Sequence, residues 1–461
     1  MSTTDSHSAS RMGTAPMGPL LFSLTIPMMV SMLFQALYNV VDSIFVSYIS
    51  EAALSAVSLA FPIQNLMIAF AVGTGVGVNA YVSKSLGEGN HAEADQASAN
   101  GLFLALCTFV AFFLFGVFGV VPFMHSQTED PVIRQYGVDY LSVCCLFSLG
   151  CMIQCMVEKL LTATGRSNYA MITQLVGACT NIIMDPILIF GLFGFPRMEA
   201  AGAAAATVIG QFLGAFTGLY LNLRHNHDLH FRLQDFRPQA RTIKRIYQVG
   251  IPSIAMTSVG SVMTFCMNRI LIGFSSTAVA VFGVYFKMQS FIVMPLFGLN
   301  NGMVPIIAYN YGARKPERIT KVIKMAMVAA ISIMLVGFAA AQLCPGLLLS
   351  IFNAGPDMLA LGEVALRIIS FHFIVVGFNI VASAAFQALG RGVMALLVSL
   401  VRQLFVLVPA AWLLSLSGNV NLIWWSFPIA EAASLVMCSL FLAHCYRTIV
   451  HPMMDQAPAT V

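Results

Sequence analysis

Two acidic residues lie inside long apolar segments of this chain. Asp42 closes the sequence Tyr38-Asn39-Val40-Val41-Asp42, and Asp185 follows Asn181 by four residues. A carboxylate in apolar surroundings is costly unless it faces a cavity, a partner or an ion. Asn181 and Asp185 share one helix face. Pro186, the next residue, removes a backbone donor and so frees a carbonyl oxygen.

Oxygen ligands of this kind suit a sodium ion, and desolvated carboxylates also suit the carriage of a proton. The sequence therefore predicts a site for H⁺ or Na⁺ at Asp42, Asn181 and Asp185, without a resident metal or cofactor. The alternative is that the two acids only hold helices together through hydrogen bonds.

The segments that carry these acids are typical of a membrane protein. The 461 residues are 58% hydrophobic and only 9% charged, against about 25% charged residues in soluble domains. Apolar runs of about 20 residues, enough to cross a bilayer, recur between short polar breaks. We expect an all-α protein with twelve transmembrane helices. Its predicted parts are a tail at 1–18, an N-lobe at 19–223, a linker at 224–245, a C-lobe at 246–447 and a tail at 448–461.

The two predicted lobes are repeats of each other. Pro27 falls on Pro252, Gly87 on Gly312, and Gly165-Arg166 on Gly390-Arg391, each 225 residues further along. A constant offset over so long a stretch indicates an internal duplication. With six spans in each half, the repeat is parallel and leaves a central cleft between two bundles.

The positive charge predicts the orientation. The 23 Lys and Arg residues fall mostly in loops on the side of the N-terminus, notably at 224–245 and 314–324. Lys and Arg are retained on the cytoplasmic side, so both termini are expected in the cytoplasm and the protein in the plasma membrane. This bias explains the net charge of +4, and we expect no nucleic-acid partner. Residues 1–18 read as a loose tail without a removable signal.

The charged residues differ between the halves. Asp42 and Asp185 fall on Met267 and Ala410, so the acidic site is expected only in the N-lobe. In the C-lobe, Arg402 and Glu431 are predicted to form a buried structural ion pair, because each is otherwise uncompensated.

Lys287 has two possible roles. It either joins the Arg402–Glu431 network or contacts a substrate directly.

Other patterns carry less chemistry. The spacing Gly73-x-Gly75-x-Gly77 favours close helix packing over phosphate binding, since no strand precedes it. His225, His227 and His230 have metal-like spacing but lack completing ligands, so a solvated loop is favoured. An enzyme would need a nucleophile with a base or a metal set, and the sequence contains no convincing set.

An ordered set of motifs resembles the multidrug and toxic compound extrusion (MATE) transporters. The matching positions are Pro27…Gln35…Tyr38-Asn39-x-x-Asp42, 53–56, 85–90, Asn181…Asp185-Pro186, 298–305, 309–314 and 387–391. The resemblance implies a V-shaped pair of six-helix lobes that exports amphipathic, often cationic compounds by alternating access. H⁺ or Na⁺ would drive the export.

By this resemblance the cation site maps onto Asp42, Asn181 and Asp185, and no second cation site is expected in the C-lobe. Candidate cavity residues are Gln35, Tyr38, Asn39, Gln64, Lys287 and Gln289. The expected partners are a small amphipathic substrate and membrane lipid, and the expected state is a monomer. Two alternatives remain: a flippase for lipid-linked saccharides, which would need several basic groups for the pyrophosphate, and a membrane-embedded enzyme.

Overall fold

The computed structural model describes residues 8–230, 237–350 and 355–455, which are almost entirely helical. The helices of the N-terminal half are α1 (Ser8–Thr14), α2 (Met17–Ser47), α3 (Glu51–Gly87), α4 (His91–Phe118), α5 (Val120–Gln127), α6 (Pro131–Leu146), α7 (Leu149–Ala163), α8 (Ser167–Phe190) and α9 (Glu199–His225). A short 3-10 turn, Leu192–Gly194, lies between the last two.

The C-terminal half repeats this order. Its helices are α10 (Ala240–Ile272), α11 (Ser276–Gly312), α12 (Pro316–Leu343), α13 (Pro345–Ser350), α14 (Pro356–Ile369), α15 (Phe373–Ala388), α16 (Gly392–Leu400), α17 (Val408–Ser415), α18 (Val420–Ile423), α19 (Ser426–Cys445) and α20 (His451–Asp455). A 3-10 turn, Ser370–His372, joins α14 to α15. The π-helical turns Val401–Leu407 and Tyr446–Val450 continue α16 and α19.

These helices form two six-helix lobes, as the sequence predicted. Eleven helical runs of the described residues are long and apolar enough to cross a bilayer, and α6 with α7, bent by 47°, form a twelfth. The offset of 225 residues holds in the coordinates. Helix α3 at 51–87 corresponds to α11 at 276–312, and α4 at 91–118 to α12 at 316–343. Gly165 and Gly390 share a left-handed φ, at 76° and 75°.

The lobes meet through small residues on these long helices. A side chain at Gly87 would collide with the Tyr309 carbonyl oxygen, and one at its repeat partner Gly312 with the Lys84 carbonyl oxygen. Lys84 and Tyr309 are themselves equivalent, so the contact is reciprocal about a pseudo-twofold axis. Gly73 likewise leaves room only for the Ile254 backbone, with a built Cβ 2.9 Å from its nitrogen. The glycine series therefore packs helices, as expected.

We call the end of the molecule that carries α1 and the α3–α4 and α11–α12 turns the basic end. The reciprocal glycine contacts lie in the half of the bundle nearer this end. Further along the same helices, Val40 and Ile44 on α2 and Phe265 on α10 are exposed, at 40%, 46% and 66%. The lobes therefore diverge from the basic end and enclose a V-shaped cleft that opens toward the opposite end.

The expectation of a loose N-terminal tail is wrong for residues 8–14. Helix α1 is wedged against α11, with Met12 fully buried. Three C-lobe side chains donate to its terminal carbonyl groups: Asn310 Nδ2 to Met12 O at 2.9 Å, Lys315 Nζ to Gly13 O at 2.7 Å and Arg318 Nη2 to Met12 O at 3.0 Å. The side chains satisfy carbonyls that a helix end leaves without partners.

The described part of the linker is also anchored. Asp228 forms a buried ion pair with Arg166 at 3.5 Å. His225 packs against the rings of Tyr169 and Tyr220, with centroids 5.3 and 6.2 Å away. His225 is thus not a solvated loop residue. Residues 231–236 of the predicted linker lie outside the described residues.

Candidate functional site

Helices α2 and α8 bring Asp42 and Asp185, the acid pair, into one pocket of the N-lobe. Asp185 is fully buried and Asp42 is partly exposed. The two carboxylates are close enough for each to act electrostatically on the other. Asn181 Nδ2 lies 3.5 Å from Asp185 Oδ1 and donates to Thr207 Oγ1 at 3.1 Å. The three residues predicted as a cation site therefore share one polar pocket, which Thr207 completes.

Local sequence explains how α8 and α9 build this pocket. Gly177 and Gly210 let the two helices approach closely, since a Cβ on Gly210 would lie 2.6 Å from the Gly177 carbonyl oxygen. This approach places Thr207 of α9 against Asn181. Pro186 stays within α8, and its missing N–H leaves the Ile182 carbonyl without its helical donor.

The pocket contains buried oxygen atoms that have no donor among the described residues. They are Asp42 Oδ1, Asn181 Oδ1 and Asp185 Oδ2. Buried polar atoms are normally hydrogen-bonded, and ion pairs within the described residues do not include either acid. Two carboxylate oxygens and an amide oxygen are hard ligands that fit a small monovalent cation, and either carboxylate also accepts a proton.

The remaining N-lobe candidates surround the acid pair. Tyr38 is partly exposed and lies near both acids. Gln35 Oε1 accepts from Gln174 Nε2 at 3.2 Å, and Asn39 is exposed. Gln64 Oε1 accepts from Tyr140 Oη at 3.3 Å, beside the pocket.

The C-lobe candidates separate into two groups. Gln289 reaches His372 Nε2 at 3.5 Å within the C-lobe. Lys287 is exposed, and it makes no ion pair with Glu431 in the part of the chain that the structure describes. Membership of the Arg402–Glu431 network, one of its two predicted roles, is therefore wrong.

The predicted pair Arg402–Glu431 is a closed, compensated unit. Arg402 Nη1 lies 2.9 Å from Glu431 Oε1, and Glu431 is only 6% exposed. Asn379 Nδ2 donates to the other carboxylate oxygen at 2.6 Å. Both oxygens of Glu431 thus have strong donors, unlike those of the acid pair.

One charged cluster escaped the sequence reading. Lys159 was assigned to the cytoplasmic surface, but it is 7% exposed and its Nζ donates to Asn301 Oδ1 of the C-lobe at 2.7 Å. Its neighbour Glu158 is 6% exposed. The signal was available, because both charges precede the polar break at 165–168 by more than one helical turn.

Among the described residues, no group of three or more His, Cys, Asp or Glu side chains is arranged to hold a metal ion. Comparison with known proteins then decides the family. The MatE family model matches residues 27–187 and 252–413, one segment in each lobe. The chain belongs to the MatE family. Its members are transporters, so the chain is a transporter and not an enzyme.

The similar proteins within and around this MatE assignment extend over nearly the whole chain. The multidrug export protein MepA of Staphylococcus haemolyticus is 26% identical over 427 residues, covering 92% of each chain. An FAD transporter of Shewanella oneidensis is 23% identical over 430 residues, covering 92% of this chain and 94% of its own.

Solved structures of MatE proteins share the fold. An outward-facing multidrug resistance MATE family transporter of the MOP superfamily superposes with a TM-score of 0.90 at 24% identity, covering 99% of this chain and 100% of its own. A MOP superfamily transporter from Pyrococcus furiosus, described as having a binding pocket of reverse polarity, gives 0.89 at 24% identity, covering 97% and 98%.

Proposed function

We propose that this protein is an antiporter that exports amphipathic, often cationic compounds in exchange for H⁺ or Na⁺ entering at Asp42, Asn181 and Asp185. The observation that carries the proposal is the set of buried oxygens without donors, two of them on acids that have no basic partner in the described chain. A transporter gains nothing from such a costly site unless its charge changes during the cycle.

The lobe geometry supplies the second half of the cycle. With the basic end in the cytoplasm, as the positive charge indicates, the cleft of this structure opens outward. Cation binding neutralises the acid pair and changes the preferred packing of α2 against α8. A ligand shifts such an equilibrium only through different affinities for the two states, so entry of the cation and release of the substrate are coupled.

The substrate class rests on the relatives and on the cleft. Those relatives are named as a multidrug export protein and an FAD transporter. Gln35, Tyr38, Asn39 and Gln64 border the acid pair and are the polar groups proposed to meet a substrate. A saccharide flippase is less well supported, because Arg402 is already bound to Glu431. We place the protein in the plasma membrane as a monomer with both termini in the cytoplasm.

Transport into proteoliposomes with imposed gradients tests this function. A fluorescent cation is used as substrate, and Na⁺ and pH gradients are imposed separately. Asp42→Asn and Asp185→Asn each lose gradient-driven transport, while membrane insertion is retained. The matched control is Asp357→Asn, because Asp357 is exposed in the first turn of α14 and transport should not change. Gradient-driven transport by both acid-pair variants at the wild-type rate would refute the proposed roles.

A further inference from the structure

Helix α7 carries a third buried carboxylate of the N-lobe. Glu158 is 6% exposed, and the side chains around it on α7 are almost all buried. Lys159 is the charged residue that acts on it electrostatically, yet the two do not approach within ion-pair distance. Like the acid pair, Glu158 is therefore a carboxylate placed in the membrane region without a closed partner.

Glu158 is connected to the acid pair through one face of α7. Tyr38 interacts with Asp42 and with Cys151 and Cys155, and Cys155 in turn interacts with Glu158. Cys151, Cys155 and Glu158 follow at spacings of four and three residues, which place them on one helix face. The helix rises about 10 Å between Cys151 and Glu158. This polar stripe leads from the acid pair toward the basic end.

The far end of α7 is fixed at the basic end by α3. Asn79 Nδ2 donates to the Lys159 carbonyl oxygen at 3.1 Å and to Thr162 Oγ1 at 2.7 Å. Ser83 Oγ donates to the Ala163 carbonyl oxygen at 2.9 Å. Glu158 thus lies between the acid pair and the basic end.

The residue after Glu158 reaches the other lobe. Lys159 Nζ donates to Asn301 Oδ1 at 2.7 Å, and its alkyl stem packs on Gly75, where a built Cβ would lie 2.8 Å from Lys159 Cγ. The repeat partners of Glu158 and Lys159 are Ser383 and Ala384. The C-lobe therefore has no equivalent of this charged step.

We propose that Glu158 is a second binding site for the coupling cation, which reaches it from the acid pair along α7 before leaving at the basic end. The inference rests on the proposed antiport function. While Glu158 is ionised, its charge balances the Lys159 ammonium. When Glu158 takes up a proton or Na⁺, the ammonium is left uncompensated beside Asn301, and a buried charge without compensation is unfavourable. Occupation of Glu158 therefore weakens the contact between the lobes at the moment when the basic end must open.

Glu158→Gln in proteoliposomes tests the site. We expect gradient-driven uptake of the fluorescent cation to fall about tenfold, within the usual range of coupling free energies between sites. Substrate binding at equal cation concentrations on both sides should stay at the wild-type level. The number of cations moved per substrate, measured as the opposing gradient that stops net transport, should also fall. A purely structural role of Glu158 would not alter that ratio.

Two further variants separate the possible failures. Glu158→Asp keeps the charge and should restore most of the gradient dependence, which decides the case if Glu158→Gln does not fold. Asp42→Asn, assayed in parallel, reports on the proposed function itself. If Asp42→Asn abolishes coupling while Glu158→Gln retains wild-type coupling and ratio, the second site is wrong and the antiport function stands. If Asp42→Asn leaves coupling intact, the antiport function is wrong as well.

Discussion

The two lobes have the same backbone plan and opposite treatments of buried charge. In the N-lobe, Asp185 is fully buried and one of its oxygens has no donor in the described chain. In the C-lobe, both oxygens of the buried Glu431 are bound, by Arg402 and Asn379. An acid that keeps its donors throughout cannot be neutralised and released in turn. The comparison therefore assigns ion chemistry to the N-lobe and charge-stabilised packing to the C-lobe.

The repeat positions show how one fold accommodates both. Arg402 takes the place of Gly177, and Glu431 takes the place of Ala206. At Gly177 a Cβ would lie 2.9 Å from Gln154 Nε2 and 3.2 Å from the Gly210 carbonyl oxygen, so the N-lobe has no room there for an arginine. In the C-lobe the π-helical turn Val401–Leu407 carries Arg402. Such turns often occur at functional positions in helices.

The largest expected effect is the loss of the C-lobe pair. Arg402→Met leaves Glu431 buried and uncompensated, and we expect a loss of about 3–5 kcal/mol in the free energy of unfolding. The double variant Arg402→Met/Glu431→Met should recover most of this loss, because it removes both charges. Thermal unfolding in detergent measures both variants. Equal destabilisation by the single and double variants would contradict a compensated pair.

The next effect tests the contact in which the lobes are alike. Gly87→Ala and Gly312→Ala each force a methyl group against the backbone of the other lobe, and overpacking of this kind costs about 1–3 kcal/mol. Because the two contacts are reciprocal, both variants should shift the lobes apart at the basic end to the same extent. Spin labels across that end measure the separation.

Gly283→Ala is the matched control for the glycine variants. Gly283 lies in α11, and a Cβ built on it meets nothing within 4 Å. A separation that changes in only one of the two twin variants would contradict the pseudo-twofold contact.

A smaller effect of opposite sign is expected in the N-lobe. Asp185→Asn removes a buried charge that has no basic partner in the described chain, and Asn retains an oxygen for the Asn181 amide. We expect stability to be unchanged or raised by about 1 kcal/mol, while gradient-driven transport is lost. Thermal unfolding beside the transport assay gives both values. A loss of stability as large as that of Arg402→Met would remove the distinction between the lobes.

Sequence alone predicted the parts of this molecule that depend on periodic or repeated signals. The apolar runs gave the two six-helix lobes, and the offset of 225 residues holds for α3 and α11 to the residue. The acid pair could be singled out because Asp42 and Asp185 have uncharged repeat partners. The role of the pocket as a cation site remains a prediction.

The features that sequence reasoning missed depend on contacts between distant segments. Met12 is buried because Asn310 and Arg318 hold its carbonyl from the other lobe, and nothing near Met12 in the chain signals this. Thr207 joins the pocket only because Gly177 and Gly210 let two helices touch. Lys159 was misplaced because a lysine near a helix end is normally a surface residue, and its partner lies 142 residues away.

The smallest expected effect concerns Lys287, a charge in the C-lobe that belongs to neither treatment. It is exposed, and its repeat partner is Pro62. Because Lys287→Met breaks no ion pair described in the structure, stability should change by less than about 0.5 kcal/mol. If Lys287 contacts substrates in the cleft, the variant should export cationic dyes faster and anionic compounds more slowly, with the same cation dependence. Dye efflux measured over a charge series checks this. A changed cation dependence would instead place Lys287 in the ion machinery, and the restriction of that machinery to the N-lobe would be wrong.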